Sequence, residues 1–173
     1  MGKIYAGIGA RKTPAPYLEL MTRIAEDLGP DWLLRTGGAR GADSAFAAGA
    51  LNKEIHLPWD GYNGLYADTH YGRYVPPCSP ELLRITAMHH PAWDRLSETV
   101  RAFMCRNTSI ILGADLKQYA TMIICWTPGG KLVGGTSHAM RIGYHYDIPV
   151  FNIALEEDIV RLIAFEAKTR VSR

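Results

Sequence analysis

The chain has few cysteines, and their arrangement excludes two kinds of site at the sequence level. Cys78, Cys105 and Cys125 are odd in number, far apart, and form no C-x-x-C pair. This pattern predicts neither a zinc site nor a disulfide framework. A reducing cytosol is the compartment that fits such cysteine usage best.

Long apolar runs are also lacking. No stretch is long enough to span a bilayer, and residues 1–20 show no charged segment followed by an apolar one. We therefore expect a soluble, cytoplasmic protein with no membrane partner.

A strong excess of one charge is the third absence. The sequence contains 19 Lys and Arg residues and 17 Asp and Glu residues, which gives a net charge of +2. The basic residues are spread along the chain. Proteins that coat nucleic acid usually carry a marked basic excess, so nucleic acid is the less favoured partner. A small local phosphate site remains compatible with this balance.

Apolar residues make up 47% of the 173-residue chain, which predicts a single globular domain over residues 1–173. Short apolar runs alternate with segments of helical periodicity. Residues 60–80 are predicted to form a long loop, and residues 81–113 to be helical with a break near Pro91. The remaining strands are predicted at 3–10, 32–38, 54–59, 120–127 and 148–154, and the remaining helices at 16–29, 42–51, 135–147 and 156–170. This alternation is typical of βαβ units and predicts an α/β fold, a Rossmann-like three-layer sandwich with a mostly parallel sheet.

Three glycine-rich stretches each follow a predicted strand and precede a predicted helix. They are GIGARKTP (7–14), TGGARGAD (36–43) and TPGGKLVGGTSHAMRIG (127–143). Glycine lets backbone approach a ligand closely, and the first N–H groups of a helix have no partner inside the helix. Because ligands of parallel sheets bind at the carboxyl ends of the strands, the three stretches predict a shared site for a phosphate-containing ligand. Each stretch read alone is equally compatible with a structural turn.

Two common nucleotide-binding motifs are not met. Gly7 and Gly9 begin a G-x-G-x-x-G pattern, but Lys12 stands where the last glycine belongs. The GARGAD segment lacks the GK[ST] ending of a Walker A motif. An ordinary dinucleotide-dependent dehydrogenase or P-loop NTPase is therefore disfavoured, and no cofactor is predicted.

The order of GIGAR, TGGARGADSAFAAGA, MCRN and PGGKLVGGTSHAMRIG resembles the SLOG superfamily of Rossmann-like nucleotide-binding proteins. GGARGADSAF (37–46) and GGTSHAMRIG (134–143) resemble motifs of its DNA-processing protein A (DprA) branch. FMCRN (103–107) and the PGG…GT loop resemble those of its Lonely Guy (LOG) branch of phosphoribohydrolases. The resemblance spans most of residues 3–154 and implies nucleotide binding, with dimers frequent among LOG-like relatives.

The sequence also departs from these branches. LOG enzymes carry a catalytic glutamate three residues after the Gly-Thr of the loop, and Ala139 occupies that position here. The loop contains an insertion at 131–133. Cleavage of an N-glycosidic bond passes through an oxocarbenium-like state that needs nearby negative charge, so the LOG mechanism loses its main support. No residue is assigned as catalytic; Arg106, Asp43, Asp94 and Glu98 are the candidates.

Individual side chains are open to two interpretations each. Arg40 could clamp a phosphate or pair with Asp43, and Arg106 could contact ligand or form a buried structural pair. Asp43 could bind a ribose or cap backbone amides. Arg11 could bind phosphate or lie in solvent. The predicted ligand-binding residues are Gly7, Gly9, Ala10, Arg11, Thr36, Gly37, Gly38, Arg40, Gly41, Asp43, Arg106, Asn107, Trp126, Gly129, Gly130, Gly134, Gly135, Thr136 and Ser137.

The tyrosines of residues 62–74 and the histidines do not narrow the choice of ligand. The four tyrosines of residues 62–74 could form a lid that stacks a base, or could cover the sheet edge. The six histidines show no metal-ligand spacing, so no metal site is predicted.

Three functions remain open at this stage. The first is a sensor or sequestering protein that binds a mononucleotide or an NAD-derived ADP-ribose ligand, with a homodimer or higher homo-oligomer as partner state. The second is a LOG-like nucleotide N-glycosidase that releases free base. The third is a DprA-like single-strand DNA-binding protein. Three anion-binding turns without the LOG glutamate favour the first.

Overall fold

The computed structural model describes residues 3–171, so the first two and last two residues of the predicted domain lie outside it. Six strands form one sheet in the order β4-β3-β2-β1-β5-β6, and every pairing is parallel. The strands are β1 (Lys3–Gly9), β2 (Trp32–Thr36), β3 (Asn52–His56), β4 (Arg73–Tyr74), β5 (Met122–Trp126) and β6 (Val150–Asn152). The helices are α1 (Ala15–Leu28), α2 (Ala42–Gly49), α3 (Pro80–Met88), α4 (Glu98–Leu112), α5 (Thr136–His145) and α6 (Glu156–Val171).

Helices cover both faces of the sheet and bury two apolar cores. Side chains of α3, α4 and α5 pack on one face, and those of α1, α2 and α6 pack on the other. The central strand β1 and its neighbour β5 are almost wholly buried, which explains their uninterrupted apolar runs. The predicted three-layer Rossmann-like sandwich is confirmed.

The break predicted near Pro91 is real. α3 ends at Met88, and α4 begins after Ser97, whose side chain accepts a hydrogen bond from the Val100 amide at 3.4 Å. A proline disfavours helical backbone in the residue before it, and a serine N-cap starts the next helix.

Two sequence-based predictions about residues 54–80 need correction. β3 runs over Asn52–His56 rather than 54–59, because Pro58 has no N–H to donate to a ladder. The predicted loop 60–80 contains the short strand β4, which pairs with Ile55 and His56. A strand of two residues has no periodicity to detect.

The prediction that the cysteines form no disulfide is wrong. Cys78 and Cys105 are bonded across a sequence separation of 27 residues, while Cys125 is free and buried. Spacing alone could not indicate this pair, because the packing of α3 against α4 brings the loop before α3 onto the middle of α4.

No helix among residues 3–171 is long and apolar enough to cross a membrane.

We expect the disulfide to contribute substantially to stability. Opening a loop of this length should lower the free energy of unfolding by about 3.5 kcal/mol, through greater freedom of the unfolded chain. Urea unfolding of the oxidised protein and of the Cys78→Ser variant would measure the difference. Cys78 is exposed, so the replacement itself removes little packing. A reducing agent should destabilise the parent protein and leave Cys78→Ser unchanged; equal stability of all three samples would contradict the prediction.

Two buried histidines should make the fold sensitive to acid. Burial lowers the pKa of His56 to about 4 and that of His138 to about 3, from 6.5. Below pH 6.5 these histidines are protonated in the unfolded chain but stay neutral in the folded protein. The free energy of unfolding therefore falls as the pH falls. We expect a loss of about 2 kcal/mol per histidine between pH 7 and pH 5, measured by urea unfolding. His138→Gln should flatten the profile, whereas replacement of the exposed His70 should not.

Candidate functional site

A cavity of about 400 Å³ opens at the carboxyl edge of the sheet. It lies where the chain order reverses, between the turns that follow β1 and β2 and the turn that follows β5. This is the position at which open parallel sheets bind ligands. The lining residues are Ile8, Gly9, Ala10, Arg11, Ala39, Asp43, Tyr62, Val100, Phe103, Met104, Arg106, Asn107, Thr127, Pro128, Val133, Gly134, Gly135 and Thr136.

The start of α5 forms one end of this cavity. Gly134, Gly135 and Thr136 line it, and the amides of Ser137 and His138 donate to the carbonyls of Gly134 and Gly135 at 3.3 and 3.2 Å. The amides of Gly135 and Thr136 precede these first bonds of the helix. Such amides, at the positive end of a helix dipole, favour an anion.

The opposite side of the cavity contains a buried ion pair. Arg106 is 7% exposed and donates a hydrogen bond to the Gly37 carbonyl, and its Nη1 lies 3.8 Å from Asp43 Oδ2. The Ala39 amide donates to the same Asp43 oxygen at 3.1 Å. Arg106 Nε is buried without a hydrogen-bond partner. The guanidinium group is thus incompletely hydrogen-bonded within the described part of the chain.

Burial dominates the titration of this pair. It raises the pKa of Asp43 above its ordinary value, although Arg106 and the Ala39 and Gly37 amides act in the opposite direction. It likewise lowers the pKa of Arg106, against the attraction of Asp43. The two groups thus compensate each other in a place from which water is largely excluded.

Glycine is required where the pair meets the backbone. A Cβ added to Gly37 would lie 2.5 Å from Arg106 Cζ and 2.7 Å from Asp43 Oδ2. A Cβ added to Gly9 would lie 2.6 Å from the Cβ of Ala42, where β1 packs closely on α2. These two glycines allow close packing of the elements around the cavity, in addition to any role in binding.

The structure brings together about half of the predicted ligand-binding residues. Those that line the cavity are Gly9, Ala10, Arg11, Asp43, Arg106, Asn107, Gly134, Gly135 and Thr136. Those that do not line it are Gly7, Thr36, Gly37, Gly38, Arg40, Gly41, Trp126, Gly129, Gly130 and Ser137.

Several single placements differ from their prediction. The partner of Asp43 is Arg106 rather than Arg40, which is exposed. Trp126 packs against Tyr17 with 5.6 Å between ring centroids, on the face of α1. Asp94 and Glu98 are exposed and outside the wall.

The structure also shows the surroundings of Ala139, which occupies the position of the LOG glutamate. Ala139 is 1% exposed and belongs to the apolar core of the α3–α5 face. A glutamate there would enter the core rather than the cavity. Among residues 3–171, no three side chains of His, Cys, Asp or Glu could hold a metal ion together.

Sequence reasoning missed most of the apolar wall. Val100, Phe103, Met104 and Asn107 follow the i, i+3, i+4, i+7 spacing of one helix face, and this face of α4 lines the cavity. The spacing is visible in the sequence, but it is the same spacing that a core-facing helix shows.

An aromatic cluster extends this wall. Trp59, Tyr62 and Phe103 pack edge to face, with ring centroids 5.1 to 5.4 Å apart. The predicted tyrosine lid is thus only partly assembled: Tyr62 lines the cavity, whereas Tyr66 and Tyr71 are exposed. Tyr74 instead hydrogen-bonds the buried His56.

Comparisons with known proteins give one informative match. No protein-family model and no curated protein matches the chain. A solved structure of DNA processing protein A from Helicobacter pylori, described for its unique single-stranded DNA binding mode, is similar with a TM-score of 0.57 and 18% sequence identity. The match covers 87% of this chain and 64% of that one, so this chain spans less than two thirds of that structure. The likeness supports the Rossmann-like fold.

We expect the buried ion pair of Arg106 and Asp43 to affect the stability of the fold. Arg106→Met should lower the free energy of unfolding by about 3 kcal/mol, because it leaves the Asp43 carboxyl buried without its cation. The double variant Arg106→Met with Asp43→Asn should recover part of that loss. Chemical denaturation of the two single variants and the double variant completes the cycle. If Arg106→Met unfolds like the parent protein, Arg106 has no structural role.

Proposed function

We propose that this protein binds single-stranded DNA and takes one nucleotide unit into the cavity at the carboxyl edge of the sheet. The observation that carries the proposal is the composition of the cavity, which joins an anion-favouring helix start to an aromatic wall. Proteins that bind single strands combine positive charge along the backbone with aromatic side chains against the bases. The likeness to a single-strand-binding protein supports the DNA form of the ligand.

A phosphate of the strand is expected at the start of α5. The amides of Gly135 and Thr136 would donate to it, and Arg11, which lines the cavity and is exposed, would add a charge-assisted hydrogen bond.

Positive charge surrounds this position. Arg11 and Lys12 follow β1, Arg40 follows β2, and Lys131 follows β5; all four are exposed in turns at the carboxyl edge. Arg40 would therefore contact the strand at the rim rather than in the cavity. A local group of cations at one edge would attract a phosphate backbone even though the chain's net charge is only +2.

A free nucleotide is the second candidate ligand, in the sensing or sequestering role. The cavity volume of about 400 Å³ favours it, because this is within the range of sites for small ligands. The phosphate position would be the same. Mononucleotide and ADP-ribose ligands differ from DNA in having no continuing backbone for the rim cations to contact.

Base release is disfavoured. Asp43 is the one carboxylate in the described cavity wall, and it already accepts from Ala39 and faces Arg106. An oxocarbenium-like state needs negative charge beside the sugar, and this carboxylate is neutralised by its partner. We therefore propose a binding protein rather than an N-glycosidase.

Binding to fluorescent oligothymidylate of about 15 nucleotides tests the proposal. We expect affinity to rise with strand length and to fall with salt, because rim cations release counterions. Arg11→Ala should weaken binding about tenfold. Gly135→Val should weaken it further by shielding the first-turn amides. The variant should fold normally, since an added Cβ would lie 3.7 Å from the Met104 Cε atom, in ordinary van der Waals contact.

The matched control is Arg23→Ala, which removes an exposed arginine of α1 that does not line the cavity. Competition with nucleoside monophosphates, NAD and ADP-ribose, followed by mass spectrometry, distinguishes the candidates. Unchanged free nucleotide that binds more tightly than the strand would replace DNA with the second candidate. Released base would overturn the binding-protein proposal, and absence of any binding would overturn both candidates.

A further inference from the structure

The turn between β5 and α5 exposes two neighbouring apolar side chains, one of which lines the cavity. Leu132 is 46% exposed and Val133 is 44% exposed, and Val133 lines the cavity. They belong to the segment 131–133 between the glycines of this turn. Neither contributes to a described apolar core. Packing in the protein core therefore does not explain why these two positions are apolar.

The backbone around these two residues is anchored at one end and open at the other. A Cβ on Gly130 would meet the Leu155 side chain at 2.7 Å, so this end of the turn lies against the protein. Gly134 has a φ of +68° and no atom within 4 Å of an added Cβ. The side of the turn at Gly134 therefore faces open space.

An apolar surface is also contributed by the other elements around the cavity. Val100, Phe103 and Met104 of α4 line it, and Phe103 is held in place by Trp59 and Tyr62. The apolar lining of the cavity therefore comes from one face of α4 and from Val133 of the glycine-flanked turn. Flat aromatic rings bind well between two such surfaces, because both of their faces lose contact with water.

We propose that Leu132 and Val133 form one face of a base subsite whose other face is Phe103 and Met104. The ligand is the flat heteroaromatic ring of the nucleotide unit, so this inference rests on the proposed function and assigns the base to the apolar part of the same cavity. The phosphate remains at the start of α5.

Three of the polar side chains that line the cavity are already engaged with protein atoms. Asn107 donates to the Gly135 carbonyl at 3.3 Å, and Arg106 and Asp43 contact each other and the turn after β2. These contacts reduce the number of side chains that can read the hydrogen-bonding edge of a base. Recognition by apolar contact tolerates every base, because each has a π face. The subsite therefore favours binding with little preference for sequence.

The test compares a normal strand with one that lacks bases. The probes are an oligothymidylate and an oligomer of the same length built from abasic units, and both carry the same phosphates. The parent protein should bind the normal strand at least about tenfold more tightly. The double variant Leu132→Ser with Val133→Ser should reduce this preference to about twofold and leave affinity for the abasic strand unchanged. Oligomers of adenylate, cytidylate and thymidylate should bind the parent within about threefold of each other.

The control variant is Val160→Ser, which removes a similarly exposed apolar side chain from α6. It should change neither affinity. Equal loss for both strands in the double variant, or no loss for either, would overturn the base subsite. Equal binding of both strands by the parent protein would also overturn it while leaving DNA binding intact. Absence of binding to either strand would reject the proposed DNA function and this subsite with it.

Discussion

The buried pair of Arg106 and Asp43 is the contact on which the geometry of the cavity depends. α4 reaches across the carboxyl edge at this point, and Arg106 binds the Gly37 carbonyl as well as facing Asp43 at the start of α2. The wall formed by α4 is thereby fixed to the turn after β2. A charged pair with so little exposure costs desolvation energy, so its value here lies in fixing one arrangement of two elements rather than in net stability.

The rest of the site follows from that attachment. Once α4 is held, Asn107 reaches the Gly135 carbonyl, and the start of α5 is positioned opposite the turns after β1 and β2. Phe103, one turn before Asn107, then joins the aromatic cluster with Trp59 and Tyr62. A single helix thus links the anion-favouring end of the cavity to its apolar wall.

The sequence predicts the fold well because the chain repeats the same local pattern. Buried strands, glycine-rich turns and amphipathic helices follow one another, and each is recognisable without knowledge of its neighbours. The glycine-rich turns after β1, β2 and β5 all contribute residues to the wall of the cavity. Whether the cavity binds a nucleotide stays a prediction.

The parts that sequence reasoning missed depend on contacts between distant residues. Arg106 was recognised as a candidate, but its partner was ambiguous, because Arg40 is near Asp43 in the chain and Arg106 is near it in space. Gly37 was assigned to ligand binding, whereas the approach of Arg106 already requires a glycine there. The pairing of Cys78 with Cys105 arises in the same way, from the packing of α3 on α4.

That disulfide joins the cavity to the solvent-exposed surface by a covalent path. Cys105 stands between Met104 and Arg106, two residues of the cavity wall, and its bonded partner Cys78 is exposed. A thiol in the assay buffer can therefore change the covalent structure next to the guanidinium group without entering the cavity. Binding constants measured with and without reducing agent describe two covalently different molecules, and each must be reported with its thiol content.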